Sequence, residues 1–378
     1  MRRIRKILIM TEYFLPFLGG IEVQAYRIAR EFSNRGFYVE IYTQNKTPLH
    51  RDLPLTEVLD GIKIKRIRYF KYLIPQNILR FDLIILFNFL AFPYMFLFIY
   101  IWMLRSLKVK TPYIVLIPEG GHDPNWKEFS FMTGIIKKLI MYLERHFIAY
   151  SIDKIIAVST WEYISLANFL KENRNKIVLI PNCIDEYAYE PIKNCDQTIN
   201  KLKPYVLYLG RIARRKRIDM IIEAVKDQPR INIVVVGPIH EIEAYIKIKQ
   251  LVKLYHIENR FYYFGPATGL LKYCLIDNSL AVILISEHEA EGIVVKEAMA
   301  RGKPVIVNDL DTFKYLIKNQ VNGFIVKDIN DIMEAINRLM TDQQLVKLIE
   351  VNNKYKAKMW MCKALVSRFL EVIKQDTT

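Results

Sequence analysis

Short runs of aliphatic and β-branched residues alternate with helical segments along almost the whole chain, and this rhythm constrains the fold more than any other feature. In the first half the strand-like runs fall at residues 5–10, 38–43, 62–67, 83–87, 113–117, 154–158 and 176–180, with helical patterns at 21–35, 134–150 and 160–171. Runs that are apolar on both faces belong to parallel sheets, whose strands need helical crossovers, so a doubly wound α/β sheet is expected. Between Pro191 and Pro204 the apolar periodicity lapses, which marks a linker. A second set follows, with strands at 205–209, 231–236, 261–264, 280–285, 304–307 and 323–325, and helices at 218–225, 241–255, 293–300, 312–317 and 331–340. At 378 residues the chain exceeds the ~250–300 at which single cores stop growing. Two similar domains are therefore expected, 1–195 and 196–355, with a cleft between them and a last helical segment, 356–374, that could join either.

With 52% apolar residues, disorder is excluded. The four cysteines, Cys183, Cys195, Cys274 and Cys362, lack the short paired spacing of metal or redox motifs and read as reduced thiols. The basic start, Met1 to Lys6, precedes an apolar run too short for a signal peptide. Residues 83–104 carry no charge and as one helix would reach ~33 Å, enough to cross a bilayer. Asn88 and Pro93 divide them into a buried strand and a separate apolar helix, the preferred reading over a spanning helix.

Several loops carry residues able to do chemistry. Ser286-Glu287-His288-Glu289-Ala290-Glu291-Gly292 follows a strand and opens a helix at Ile293, with Glu297 further inside it. Backbone N–H groups at a helix start attract anions and polyols, although acids there also simply complement the dipole. Five cations crowd Arg211-Ile212-Ala213-Arg214-Arg215-Lys216-Arg217, an anion site or a solvated helix start. Gly19 and Gly20 lie between the first strand and first helix, where glycine lets backbone approach a phosphate or makes a plain turn. After the 113–117 strand comes Pro118-Glu119-Gly120-Gly121-His122.

Two glutamates with seven residues between them, Glu289 and Glu297, followed by Ala298-Met299-Ala300-Arg301-Gly302-Lys303-Pro304-Val305, resemble the signature of the retaining glycosyltransferases of family 4. The resemblance implies a GT-B architecture: two Rossmann-like doubly wound domains facing across a cleft, the first for the acceptor, the second for the donor, with the final helix, 356–378, crossing back. It implies that Glu297 binds the ribose of a nucleoside-diphosphate-sugar and Glu289 the hydroxyls of the transferred sugar. Gly292 and Ile293 would offer backbone donors, and Arg211 with Lys216 would neutralise the departing diphosphate. Gly19 and Gly20 match a loop closing over the donor diphosphate, and Pro181-Asn182-Cys183-Ile184-Asp185 matches a Pro-Asn-Gly-Val-Asp turn. Three departures stand out: Ala290-Glu291 replaces Gly-Phe, Arg217 replaces a glycine, and Cys183 replaces another. Glu291 is expected to bear on which sugar fits. The loop histidine facing the reacting sugar corresponds either to His122 or, in place, to Glu119. No metal and no cofactor beyond the donor is expected.

The net charge of +16 gathers partly where cations alternate with apolar residues, at 62–72 and 135–143. Together with the apolar helix after Pro93 these predict contact with an anionic membrane surface, a glycan or lipid-linked acceptor, and a cytoplasmic, peripheral location, with no specific nucleic-acid partner. The rival readings are a nucleotide-sugar epimerase on the same architecture and a noncatalytic basic protein binding membrane or nucleic acid.

Overall fold

The computed structural model describes residues 4–47, 52–68, 77–88, 93–120, 148, 150–192 and 195–377. It divides into two compact units, Met1–Cys183 with Cys362–Thr378, and Ile184–Met361.

The first unit contains β1 (Lys6–Met10), β2 (Tyr38–Gln44), β3 (Thr56–Leu59), β4 (Ile62–Ile67), β5 (Leu83–Phe87), β6 (Tyr113–Ile117), β7 (Lys154–Ala157) and β8 (Ile177–Leu179). They form one sheet in the order β3-β4-β2-β1-β5-β6-β7-β8. All neighbours run parallel except β3, which meets β4 antiparallel. The central strands read as unbroken apolar runs because both faces are covered. β3 escaped the sequence reading because it is an edge strand with alternating exposure. Its one signal is Asp60-Gly61, both at positive φ (50° and 75°), the two-residue hairpin turn that suits right-handed strand twist.

Helix α1 (Gly20–Asn34) crosses from β1 to β2, burying Ala25, Ile28, Ala29 and Phe32 along one face. Helix α2 (Pro93–Ser106) is separate from β5, with Asn88 at φ 71° after the strand, as the division at Asn88 and Pro93 predicts. Its 14 residues reach only ~21 Å. Among the described residues no helix is long and apolar enough to cross a membrane. Helix α3 (Thr160–Leu170) is capped by Ser159. Most of the helix expected at 134–150, and the basic stretches 69–72 and 135–143, lie outside the described residues.

The second unit holds β9 (Tyr205–Leu209), β10 (Asn232–Val236), β11 (Phe261–Tyr263), β12 (Ala281–Leu284), β13 (Val305–Asn308) and β14 (Phe324–Val326). These form an all-parallel sheet in the order β11-β10-β9-β12-β13-β14. Its helices are α4 (Gln197–Asn200), α5 (Ile218–Lys226), α6 (Ile242–Leu254), α7 (Gly269–Asn278), α8 (Ile293–Ala300), α9 (Asp311–Leu316), α10 (Ile329–Thr341) and α11 (Gln343–Ala357). The last helix, α12 (Cys362–Thr377), belongs to the first unit, where Phe369 packs edge-on against Phe32 of α1.

Three expectations are corrected. The polar stretch 191–204 is no free linker but part of the second unit: Asp196 caps α4, and Ile199 and Leu202 are buried. The chain passes between units at Cys183–Ile184 and Met361–Cys362, beside a parallel bridge of Ile184 with Met361. The cysteines are paired rather than reduced, Cys183 with Cys362 and Cys195 with Cys274. The partners lie 179 and 79 residues apart in sequence, so no local spacing could reveal them. Finally, the helix expected at 356–374 is two helices, broken at Lys358–Trp360.

Candidate functional site

In open parallel sheets ligands bind beyond the carboxyl ends of the strands, where the strand order reverses. In the second sheet that point lies between β9 and β12, and the loops leaving these strands carry both groups of residues singled out in the sequence. The ends of β9 and β10 approach backbone to backbone: a Cβ at Gly237 would lie 1.9 Å from the carbonyl oxygen of Gly210, so only glycine fits. Beyond Gly210, Arg211 leads into a 3-10 turn at Arg214–Lys216, and Arg217 adopts the left-handed conformation at φ 42° and ψ 40° before α5 begins. Arg217, where the resemblance expects a glycine, thus adopts a backbone conformation that favours glycine.

This turn buries Lys216 and aims its ammonium at Glu289, whose Oε1 accepts from Lys216 Nζ and, at 2.8 Å, from Ser286 Oγ. The two loops are tied further by Glu287 N donating to Arg215 O at 2.9 Å, while Thr312 Oγ1 donates to Glu289 O at 2.7 Å. Burial alone would raise the Glu289 pKa, but Lys216, Ser286 and Arg215 together hold it below the usual carboxylate value. The group is therefore an anion at neutral pH. His240, after β10, is kept below its ordinary pKa by burial and by the charge of Arg211, which places a neutral imidazole near that guanidinium. The sequence reading did not single it out.

Gly292, at φ 77°, turns the chain into α8, where a Cβ would lie 2.7 Å from Phe313 Cε1. Ile293 opens the helix, and Glu297 sits inside it with 4% of its side chain exposed. Lys272 of α7 donates to Glu297 Oε1 at 3.0 Å, a partner that local sequence gave no reason to choose. The Glu291 carboxylate, expected to bear on which sugar fits, accepts from Lys296 in a pair exposed by only 4% and 3%, with the ammonium 5.1 Å from the Trp360 ring. Glu291 thus takes part in an interior ion pair of this chain.

In the first unit, Gly19 is the N-cap of α1 and Gly20 its first residue. A Cβ at Gly19 would lie 2.1 Å from Glu22 Oε2, so the Glu22 carboxylate folds back against the helix start. Glu119 leaves β6 at φ 51° and accepts from Asn182 Nδ2 at 2.8 Å, joining the loop after β6 to the Pro-Asn-Cys turn. Within that turn Cys183 needs no left-handed backbone, and its carbonyl accepts from Arg27 at 3.1 Å. Gly120 N and Val158 N donate to the two carboxylate oxygens of Glu162, at 2.5 Å and 2.7 Å. Burial pushes this carboxyl up to about 8, helped by the charge of Glu119 and opposed by the Val158 and Gly120 amides. Glu162 was missed in the sequence, where its signal is Ser159-Thr160-Trp161-Glu162, a capping-box spacing after a strand. His122 lies outside the described residues.

Two family models match the chain, Glycosyltransferase Family 4 over residues 18–187 and Glycosyl transferases group 1 over 192–358. An uncharacterized glycosyltransferase of Methanocaldococcus jannaschii is 26% identical over 93% of both chains. An uncharacterized 41.2 kDa protein in the cps region of Klebsiella pneumoniae is 28% identical over 55% of this chain and 58% of its own length. Among solved structures, sucrose-phosphate synthase from Thermosynechococcus elongatus superposes with a TM-score of 0.78 at 18% identity, covering 98% of both chains. Anabaena HepE in complex with UDP and glucose gives 0.76 at 19% identity, covering 98% of this chain and 100% of that one. Likeness at these identities establishes the fold, which is GT-B. The matched models span both units apart from the ends and residues 188–191, and the chain belongs to the group 1 glycosyltransferases of family 4.

Proposed function

We propose that this glycosyltransferase moves a sugar from a nucleoside-diphosphate-sugar to an acceptor hydroxyl with retention at the anomeric carbon. The observation that carries the reading is the cluster at the β9/β12 switch point, where Lys216 meets Glu289 one loop away from Arg211, and Glu297 stands on the following helix. In this reading Glu297 accepts from the ribose and Glu289 from hydroxyls of the sugar. Lys216 exchanges its carboxylate partner for the donor diphosphate, sharing with Arg211 the charge that grows as the glycosyl–oxygen bond breaks. Gly292 and Ile293 supply amides at the helix start, and Gly19 and Gly20 a second such start for the diphosphate. The acceptor oxygen forms the new bond and gives up its proton near Glu119 or His122. Cations rather than a resident metal or cofactor are assigned the leaving-group charge.

For the acceptor we propose a lipid-linked or membrane-surface glycan, with the enzyme peripheral on the cytoplasmic face of the membrane. Supporting this, α2 leaves Phe96, Ile99, Trp102 and Met103 exposed, and Leu107, Lys108, Val109 and Lys110 continue the surface. No acid occurs between Asp82 and Glu119. The strand at 62–67 contributes less than its sequence suggested, because Lys65 pairs with Glu40 and Arg66 with Glu57.

Incubation with a panel of UDP-, GDP- and ADP-sugars and lipid-linked acceptors, with the product anomer read by NMR, tests the reaction. Retained configuration and loss of turnover in Glu289→Ala and Glu297→Ala are expected. An inverted product overturns the retaining mechanism, and donor conversion without acceptor would make the protein an epimerase. Flotation with anionic vesicles tests the surface: a protein that stays unbound at low salt refutes it.

A further inference from the structure

Glu297 and Glu289 both meet a lysine, but the two lysines have different duties. Lys216 follows the cation-rich loop and in the proposed reaction passes to the diphosphate. Lys272 lies on α7, outside both motifs, and its Nζ stands 3.0 Å from Glu297 Oε1. Both side chains are withdrawn from solvent, 16% and 4% exposed. A carboxylate this deep is costly to keep charged without a cation, and its orientation toward a ligand is set by whatever grips its other contacts. Lys272 Nζ also lies over the neighbouring Tyr273 ring, 4.5 Å from its centroid. That contact fixes the ammonium against the wall of the same helix. Two independent contacts thus hold Lys272 so that its charge is delivered to one carboxylate.

We propose that Lys272 is a positioning residue of the ribose subsite, holding the Glu297 carboxylate oriented so that the enzyme distinguishes ribonucleotides from their 2′-deoxy counterparts. The inference rests on the ribose role proposed for Glu297. A lysine that only filled space would support folding equally for any ligand, whereas a positioning lysine acts on ligands that carry the diol and leaves the diphosphate cradle alone.

Calorimetric binding of UDP, GDP and ADP, each with its 2′-deoxy form and with inorganic pyrophosphate as reference, separates these cases. The wild-type protein should favour the ribo form of its preferred nucleotide by ~10- to 100-fold, the worth of a hydrogen bond to a charged acceptor. Lys272→Met and Glu297→Gln should each bring that ratio below ~3-fold with pyrophosphate affinity changed less than 2-fold, and Lys272→Arg should restore most of it. If Lys272→Met folds and keeps the full ribo preference, or weakens pyrophosphate and nucleotide equally, the positioning role is wrong while the ribose reading stands. If the wild type shows no ribo preference and Glu297→Gln changes nothing, the ribose reading fails and the inference with it.

Discussion

At the carboxyl edge of the second sheet, Glu289 and Glu297 are each met by a lysine from a different element. At the same edge of the first sheet, Glu119 and Glu162 are met by an asparagine amide and by backbone amides. The difference teaches what each edge can do. In a lysine–carboxylate pair either partner can be exchanged for a ligand: the cation for a phosphate, the acid for a hydroxyl. A carboxyl held by main-chain N–H groups cannot be traded without releasing the loop, so the first edge fixes the path of the chain around Glu119 rather than presenting paired charge.

The largest effect that sharpens this contrast is on turnover. Replacing Glu297 or Glu289 by alanine removes hydrogen bonds from a charged acceptor, each worth ~1.5–3 kcal/mol, so kcat/KM should fall by ~10²–10³ in steady-state assays. Glu162→Gln should leave kcat/KM within ~10-fold, and a loss as large as that of Glu297→Ala would erase the distinction between the edges. Next in size is Gly237→Ala. Its methyl group would meet the Gly210 carbonyl at a left-handed φ of 145°, and a loss of ~2–3 kcal/mol is expected from urea unfolding. An unchanged midpoint would mean that the two strand ends have room to part.

The two edges should also respond oppositely to pH. Glu162, raised to about 8 from 4.5, binds a proton in the folded state that the unfolded chain has released, so its contribution to stability falls as pH rises through that window. Glu289 is shifted down, so its contribution is present above the ordinary carboxylate value and is lost as pH falls below it. Unfolding midpoints from pH 3 to 9 should therefore flatten on the alkaline side in Glu162→Gln and on the acid side in Glu289→Gln. Parallel profiles in either variant would break the assignment. The smallest expected effect is Arg217→Gly: relief of the left-handed backbone is offset by lost contact with Asp219 and by a freer unfolded chain, so stability should stay within ~1 kcal/mol.

Much of the fold was legible because buried parallel strands advertise themselves. Residues 62–67, 83–87, 113–117 and 205–209 are observed as read, and so is the helix at 293–300. What was missed has physical causes. Helix α7, Gly-Leu-Leu-Lys-Tyr-Cys-Leu-Ile-Asp-Asn, is apolar on several sides and shows no stripe, so its lysine had no visible context. Strand β3 alternates too weakly to stand out at the edge. Glu162 belongs to a capping pattern that usually signals only a helix start.

From its order of residues alone, the chain determined two parallel α/β sheets and the loops on which Arg211, Lys216, Glu289 and Glu297 stand, because periodicity and motif spacing are local properties. Only the tertiary structure decided that Lys272 meets Glu297, that Glu291 turns inward to Lys296 while Glu289 does not, and that the cysteines pair across 179 and 79 residues. Those outcomes depend on which distant segments pack together and on the direction of single side chains, and neither is written in the spacing of neighbours.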